Sequence, residues 1–167
     1  MFLTKNEEPS NNSGDGLTCT IPADAIDAAQ KHLHDVLAIA FEHAHPRSAV
    51  VVFDERCDLA MALTEAYRRC LPDATFIDFD AVSPQAVTEA FVPLAPSDLV
   101  VLIQSTNFRL DAFRIRVELF KRDLKVIEHP HLARMAGPQA LYYIDALAYD
   151  PAYYRGVGNA LKARKFC

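Results

Sequence analysis

Four short, largely apolar runs alternate along the chain with longer stretches in which apolar residues recur every three or four positions. The runs are Ser48–Phe53, Ala74–Phe79, Asp98–Gln104 and Leu124–Ile127. A continuous apolar run with no alternation fits a strand buried on both faces, as in a parallel sheet. The second run mixes Thr75, Phe76 and Asp78, and predicts an edge strand. The periodic stretches predict helices. The first runs from Pro22 to near His45, with Ile26, Ala29, Leu33, Val36, Leu37, Ala40 and Phe41 as its stripe and Pro46 as its stop. The second spans Cys57–Cys70, with Leu59, Leu63, Ala66, Tyr67 and Cys70 inward. Ser83-Pro84 reads as an N-cap followed by proline at the first helical position, opening a helix to about Val92 with Val87, Ala90 and Phe91 inward.

The residues from Asp98 to His131 read as the central strand–helix–strand unit. Ser105, Thr106 and Asn107 supply candidate helix caps. Leu110, Phe113, Val117 and Phe120 then recur at helical spacing, Arg109, Arg114, Arg116, Lys121 and Arg122 fall mostly off that stripe, and Glu118 with Arg122 makes an i,i+4 pair. The return strand stops at Glu128-His129-Pro130-His131. Leu132–Met135 reads as a helical turn broken by Gly137-Pro138. Gln139–Tyr149 reads as a short helix, and Asp150-Pro151 as a cap opening a last helix to about Lys165, weakened by Gly156 and Gly158. Four strands alternating with helices predict an α/β fold: a small, doubly wound, mostly parallel four-stranded sheet with helices on both faces, Rossmann-like in architecture. In such a sheet the polar clusters after the strands gather at the carboxyl edge, where open α/β sheets bind ligands.

Composition narrows the picture. The polar residues 1–20 are expected to form a disordered tail and 21–167 a single domain. A formal charge of −5 disfavours nucleic acid as a partner. No stretch reaches the roughly 20 apolar residues of a membrane span, so no membrane partner is expected. Cys19, Cys57, Cys70 and Cys167 show no C-x-x-C spacing, which argues against structural zinc. With no secretory signal at the start, the expectation is a cytoplasmic, thiol-reduced setting.

The first strand is followed by Asp54-Glu55-Arg56-Cys57, without the glycines that a dinucleotide fingerprint needs, and no P-loop is present. Asp54, Gln104, Ser105, Asn107, Glu128, His129 and His131 are therefore the candidate ligand-binding residues, all at predicted strand ends. Glu128, His129 and His131 are candidate ligands for a divalent metal, which Asp54 and Glu55 could join from another strand end; the competing reading is that the two histidines only shape a turn. Ser105 and His129 are candidate nucleophile and base of a hydrolase if their strands are neighbours, although no G-x-S-x-G elbow is present. His32 and His34 do not share a helix face, and His43 and His45 fall at the helix end, so none suggests a metal site. Tyr142, Tyr143, Tyr149, Tyr153 and Tyr154 suit either an interface or a second apolar layer.

The run DLVVLIQSTNFR, continued by FRIRVELFKRDLKVIEHPHLARM and YYIDALAYDPAYYRGVGNALK, resembles the N-terminal α/β domain of aminopeptidase T-like leucyl aminopeptidases over about Ser48–Lys162. The resemblance implies kinship with enzymes of two-metal peptide hydrolysis whose ligands lie in a separate C-terminal domain. It carries none of those ligands onto this chain, which ends about where that domain would begin. Three readings follow: an accessory or binding domain, truncated and without hydrolysis of its own, with a catalytic-domain chain as partner; an independent small enzyme, metal-dependent or Ser/His, at the strand ends; or an oligomerisation module built on the tyrosine-rich end, with a second copy as partner. The first of these, without cofactor, is the expectation.

Overall fold

A computed structural model describes residues 19–108 and 115–164. Strands β1 (Ala49–Phe53), β2 (Thr75–Asp78), β3 (Leu99–Ile103) and β4 (Lys125–His129) form one sheet of order β2-β1-β3-β4. All three pairings are parallel, with Val51 opposite Phe76 and Val101, and Val101 opposite Ile127. The helices are α1 (Ala23–Asp35), α2 (Asp58–Cys70), α3 (Pro84–Ala90), α4 (Ile115–Lys121), α5 (Pro138–Ala146) and α6 (Pro151–Arg164). The expected α/β, Rossmann-like class is what the chain adopts, and the expected edge position of β2 is also found.

The central strands are apolar at every position because both their faces are covered. Val51, Phe53, Val101 and Ile103 point to one side, where Leu33, Leu59, Leu63, Tyr67, Leu132 and Ile144 bury them. Val50, Val52, Val100 and Leu102 point to the other, against Val87, Phe91, Leu94, Leu119 and Leu124. Strand side chains alternate between faces, so a single apolar run feeds two cores. Thus α1, α2 and α5 cover one face and α3 and α4 the other. Ser83 Oγ accepts the Ala86 N–H at 3.2 Å, and Pro84 occupies the first helical position. Ser83→Ala should destabilise the fold by about 1 kcal/mol, the usual worth of such a cap; a urea melt unchanged by the substitution would contradict the assignment.

Several sequence expectations are corrected. The first helix does not reach His45. After Asp35 it widens into one π-helical turn, Val36–Ala40, and Glu42 takes a left-handed φ of 47°. His43 N–H closes this end on Leu37 C=O at 2.9 Å, which leaves His43 and His45 in the loop before β1. The fourth strand runs two residues further than expected and includes Glu128 and His129. In α4, Phe120 is 56% exposed and Leu119 is buried instead. At the helix end Leu119 C=O accepts the N–H groups of both Arg122 and Leu124. Arg122 does not pair with Glu118: its guanidinium donates to the carbonyls of Phe91, Val92 and Leu94, and Glu118 pairs with Lys121 at 2.8 Å. Ser105, Thr106 and Asn107 are not helix caps, since none is followed by a helical residue. Arg109, Leu110, Phe113 and Arg114 and the expected tail up to Thr18 lie outside the described residues, as do Lys165 and Cys167 and the side chains of Arg116 and Val117.

Candidate functional site

The strand order fixes where the sheet opens a crevice. From β1 the connection runs outward to β2, and from β3 outward to β4. The sheet therefore reverses its winding between β1 and β3, and a crevice opens outside their carboxyl ends. The residues leaving these two strands are Asp54 and Gln104.

Asp54 is buried at the floor of this crevice. Its Oδ2 accepts the Ser105 N–H at 2.9 Å and its Oδ1 the Arg56 N–H at 3.2 Å, so one carboxylate ties the end of β3 to the turn after β1. Removing it leaves the Ser105 N–H buried without its acceptor. Asp54→Ala should therefore cost about 2–4 kcal/mol, from two charge-assisted bonds and one stranded donor; a loss below 1 kcal/mol in chemical denaturation would contradict this role. The Ser105 hydroxyl donates to Cys57 Sγ at 3.1 Å. The carbonyls of Gln104 and Ser105 accept from Leu132 N–H (3.0 Å) and Ala133 N–H (3.1 Å), and so dock the 3₁₀ turn Leu132–Arg134 over the crevice. Gly137, with φ 58° and ψ −128°, turns the chain from there into α5; that backbone region suits glycine alone.

These elements enclose a cleft of about 410 Å³ lined by residues 20–22, 56–59, 133, 135–137, 140 and 141. Its walls are largely apolar, through Ile21, Leu59, Met135 and Leu141. Thr20, Arg56, Cys57 and Asp58 supply the polar groups. Arg56 is held by Asp80 through Nε at 2.7 Å and a second, shorter contact, which keeps the Asp80 carboxyl below its ordinary pKa. Asp58 accepts a hydrogen bond from the Thr20 hydroxyl. With Arg56 neutralised by Asp80, Asp58 is the net charge of the cleft.

The predicted site residues divide. Asp54 and Ser105 meet at the crevice floor, one shell behind the cleft wall. Gln104 is buried and bridges Glu128 Oε1 (2.9 Å) and Phe108 N–H (2.8 Å). Asn107 is exposed, and His131 is half-buried in a left-handed turn. His129 is not placed against Ser105. Its Nε2 lies 2.9 Å from Tyr67 Oη and its Nδ1 2.8 Å from Tyr143 Oη, so both ring nitrogens are engaged. Burial pushes His129 down to about 4 and Tyr143 up to about 12. The imidazole is thus neutral and links β4 to α2 and α5. Among the described residues no group of three or more His, Cys, Asp or Glu side chains converges as a metal site would require. Nor is any described helix long and apolar enough to cross a membrane.

Comparison with protein-family models, with curated proteins and with solved structures finds no match. None of the three identifies an aminopeptidase T-like domain.

Sequence reasoning missed the cleft walls. Arg56, Cys57 and Asp58 carried one usable signal, since they follow the first apolar run and begin a helix, which puts them at the carboxyl edge. Thr20–Pro22 and Met135–Leu141 carried none, because the first is brought in by the Thr20 hydroxyl bonding Asp58 and the second by the docking of Leu132 and Ala133 on the Gln104 and Ser105 carbonyls.

Proposed function

We propose that this chain is a small-molecule-binding α/β domain without hydrolytic activity of its own, and that its ligand occupies the cleft at the carboxyl edge between β1 and β3. The observation that carries this reading is the cleft itself: about 410 Å³, at the sheet's winding reversal, apolar-walled with a few converging polar groups. That size and composition match small-molecule sites, which span roughly 300–1,000 Å³. The apolar walls and the Asp58 carboxylate suit a ligand with an apolar body and an amine head. An accessory role beside a separate catalytic chain, as the aminopeptidase T-like resemblance implies, accommodates the same chemistry. The thiols of Cys19, Cys57 and Cys70, all free, are consistent with a cytoplasmic setting.

Calorimetric titration with L-leucinamide, an apolar side chain bearing a free amine, tests the reading. Binding is expected to the wild-type chain and to be lost in Ala133→Phe, which fills the cleft from an exposed wall position. Equal binding by both proteins, or none by either, would overturn the assignment of the cleft. Release of p-nitroaniline from leucine p-nitroanilide, with cobalt or zinc supplied, would overturn the non-hydrolytic part.

A further inference from the structure

Helix α6 presents an apolar face that stands exposed among the described residues. Tyr153, Tyr154, Val157 and Leu161 are 63%, 51%, 39% and 61% exposed. At 3.6 residues per turn these four fall within an arc of about 100°, with Arg155, Asn159 and Lys162 on the opposite side. None of the described side chains of α6 is buried. Its tie to the body is at its root, where Asp150 Oδ1 accepts the N–H groups of Ala152 and Tyr153, and Tyr149 stacks on Tyr154 at 5.1 Å. A helix of 14 residues is marginal in water without tertiary packing. Gly156 and Gly158 weaken it further. Such a helix needs a partner surface.

Charge says which. From Pro151 to the end the sequence carries Arg155, Lys162, Arg164 and Lys165 and no acidic residue; with −5 on the whole chain, residues 1–150 carry −9. The helix and the body of its own kind carry opposite net charge and attract at long range, while Arg155 and Lys162 stay on the side of α6 away from the contact. An anionic membrane would attract the helix but repel the body behind it. A receiving recess is also present. A cleft of about 580 Å³ lies between the π-helical end of the first helix and the root of α6, lined by Ala38, Ile39, Glu42, Tyr149, Pro151 and Arg155. Ile39 stands 45% exposed in it, beside the Glu42 carboxylate.

We infer that the chain forms a two-fold dimer in which each α6 lays its Tyr153, Tyr154, Val157 and Leu161 face into the Ile39–Glu42 recess of a second copy. Exchange is reciprocal, so the interface contains two such contacts. This doubling moves two short helices toward the roughly 1,200–2,000 Å² of a stable interface.

Sedimentation equilibrium of the full chain tests this. The wild type is expected at twice the 18.6 kDa chain mass. Val157→Glu with Leu161→Glu, both at exposed positions, should give a monomer with an unchanged circular-dichroism melt of the body. Glu42→Lys, on the receiving side, should weaken the dimer by at least about tenfold, as should added salt. A monomeric wild type at high concentration overturns the inference. So does a dimer indifferent to both sets of substitutions. Co-sedimentation of a monomeric wild type with phosphatidylcholine–phosphatidylserine vesicles, lost in the double variant, would assign the face to a membrane surface instead and overturn the dimer.

Discussion

Acidification from about pH 7 to about pH 4 is expected to cost this fold on the order of 3 kcal/mol through His129 alone. The ring is buried, and burial holds it at about 4 in the folded chain, below the 6.5 of an exposed histidine. The unfolded chain therefore takes up the proton first. The contribution is whole above about pH 6.5, declines as the pH falls toward 4, and is gone below that. Geometry gives the same sign. Tyr67 is fully buried and its hydroxyl needs an acceptor; a neutral His129 offers Nε2 for it and donates Nδ1–H to the half-buried Tyr143. A protonated ring donates at both nitrogens and strands the Tyr67 proton. His43 is also held low, by burial and the neighbouring Lys125 and Arg47 against the opposing pull of Asp98, and acts in the same direction. Urea melts of wild type and His129→Gln across this range check the prediction. The stability difference between them should be constant above about pH 6.5 and shrink below it, whereas parallel curves would contradict it.

Leu63→Ala should destabilise the chain by about 2–5 kcal/mol, the range for truncating a fully buried leucine. Leu63 has no exposed surface and sits in the core between the sheet and the first two helices. Those helices are packed along their length, so the site cannot close around the lost methyl groups. At roughly 2–4 °C per kcal/mol, the melting temperature should fall by about 5–20 °C. Phe120→Ala, a larger truncation, should stay within about 0.5 kcal/mol because Phe120 faces outward. Guanidinium melts of the two variants decide it. Equal losses, or a larger one at Phe120, would contradict the assigned phase of α4.

How much of this was legible in the sequence follows from where each interaction's partners lie. β1 and β3 were readable because burial on both faces makes every position apolar. α3 was readable because its cap and proline are local. The phase of α4 was not, since it is fixed by Arg122 reaching the carbonyls of Phe91, Val92 and Leu94, some thirty residues earlier. The polar strand ends gather at one edge of the sheet, as parallel pairing requires. Their use could not be read, because Asp54 meets Ser105 and Tyr67 meets His129 across 51 and 62 residues. Tyr67 was identifiable as an inward position of an apolar stripe, but nothing local tells that its hydroxyl holds a histidine. The strand order, which turns two polar ends into one crevice, leaves no trace in the pattern of apolar and polar residues.

The central claim, that the carboxyl edge between β1 and β3 is the ligand edge, is tested most directly by amide chemical shifts in a titration of the labelled chain with L-leucinamide. Saturable shifts confined to residues 20–22, 56–59 and 133–141 are the predicted result. Shifts gathered instead at the smaller cleft on the opposite edge, about 190 Å³ between His43 and Ala74, or no saturable shift anywhere, would contradict the account.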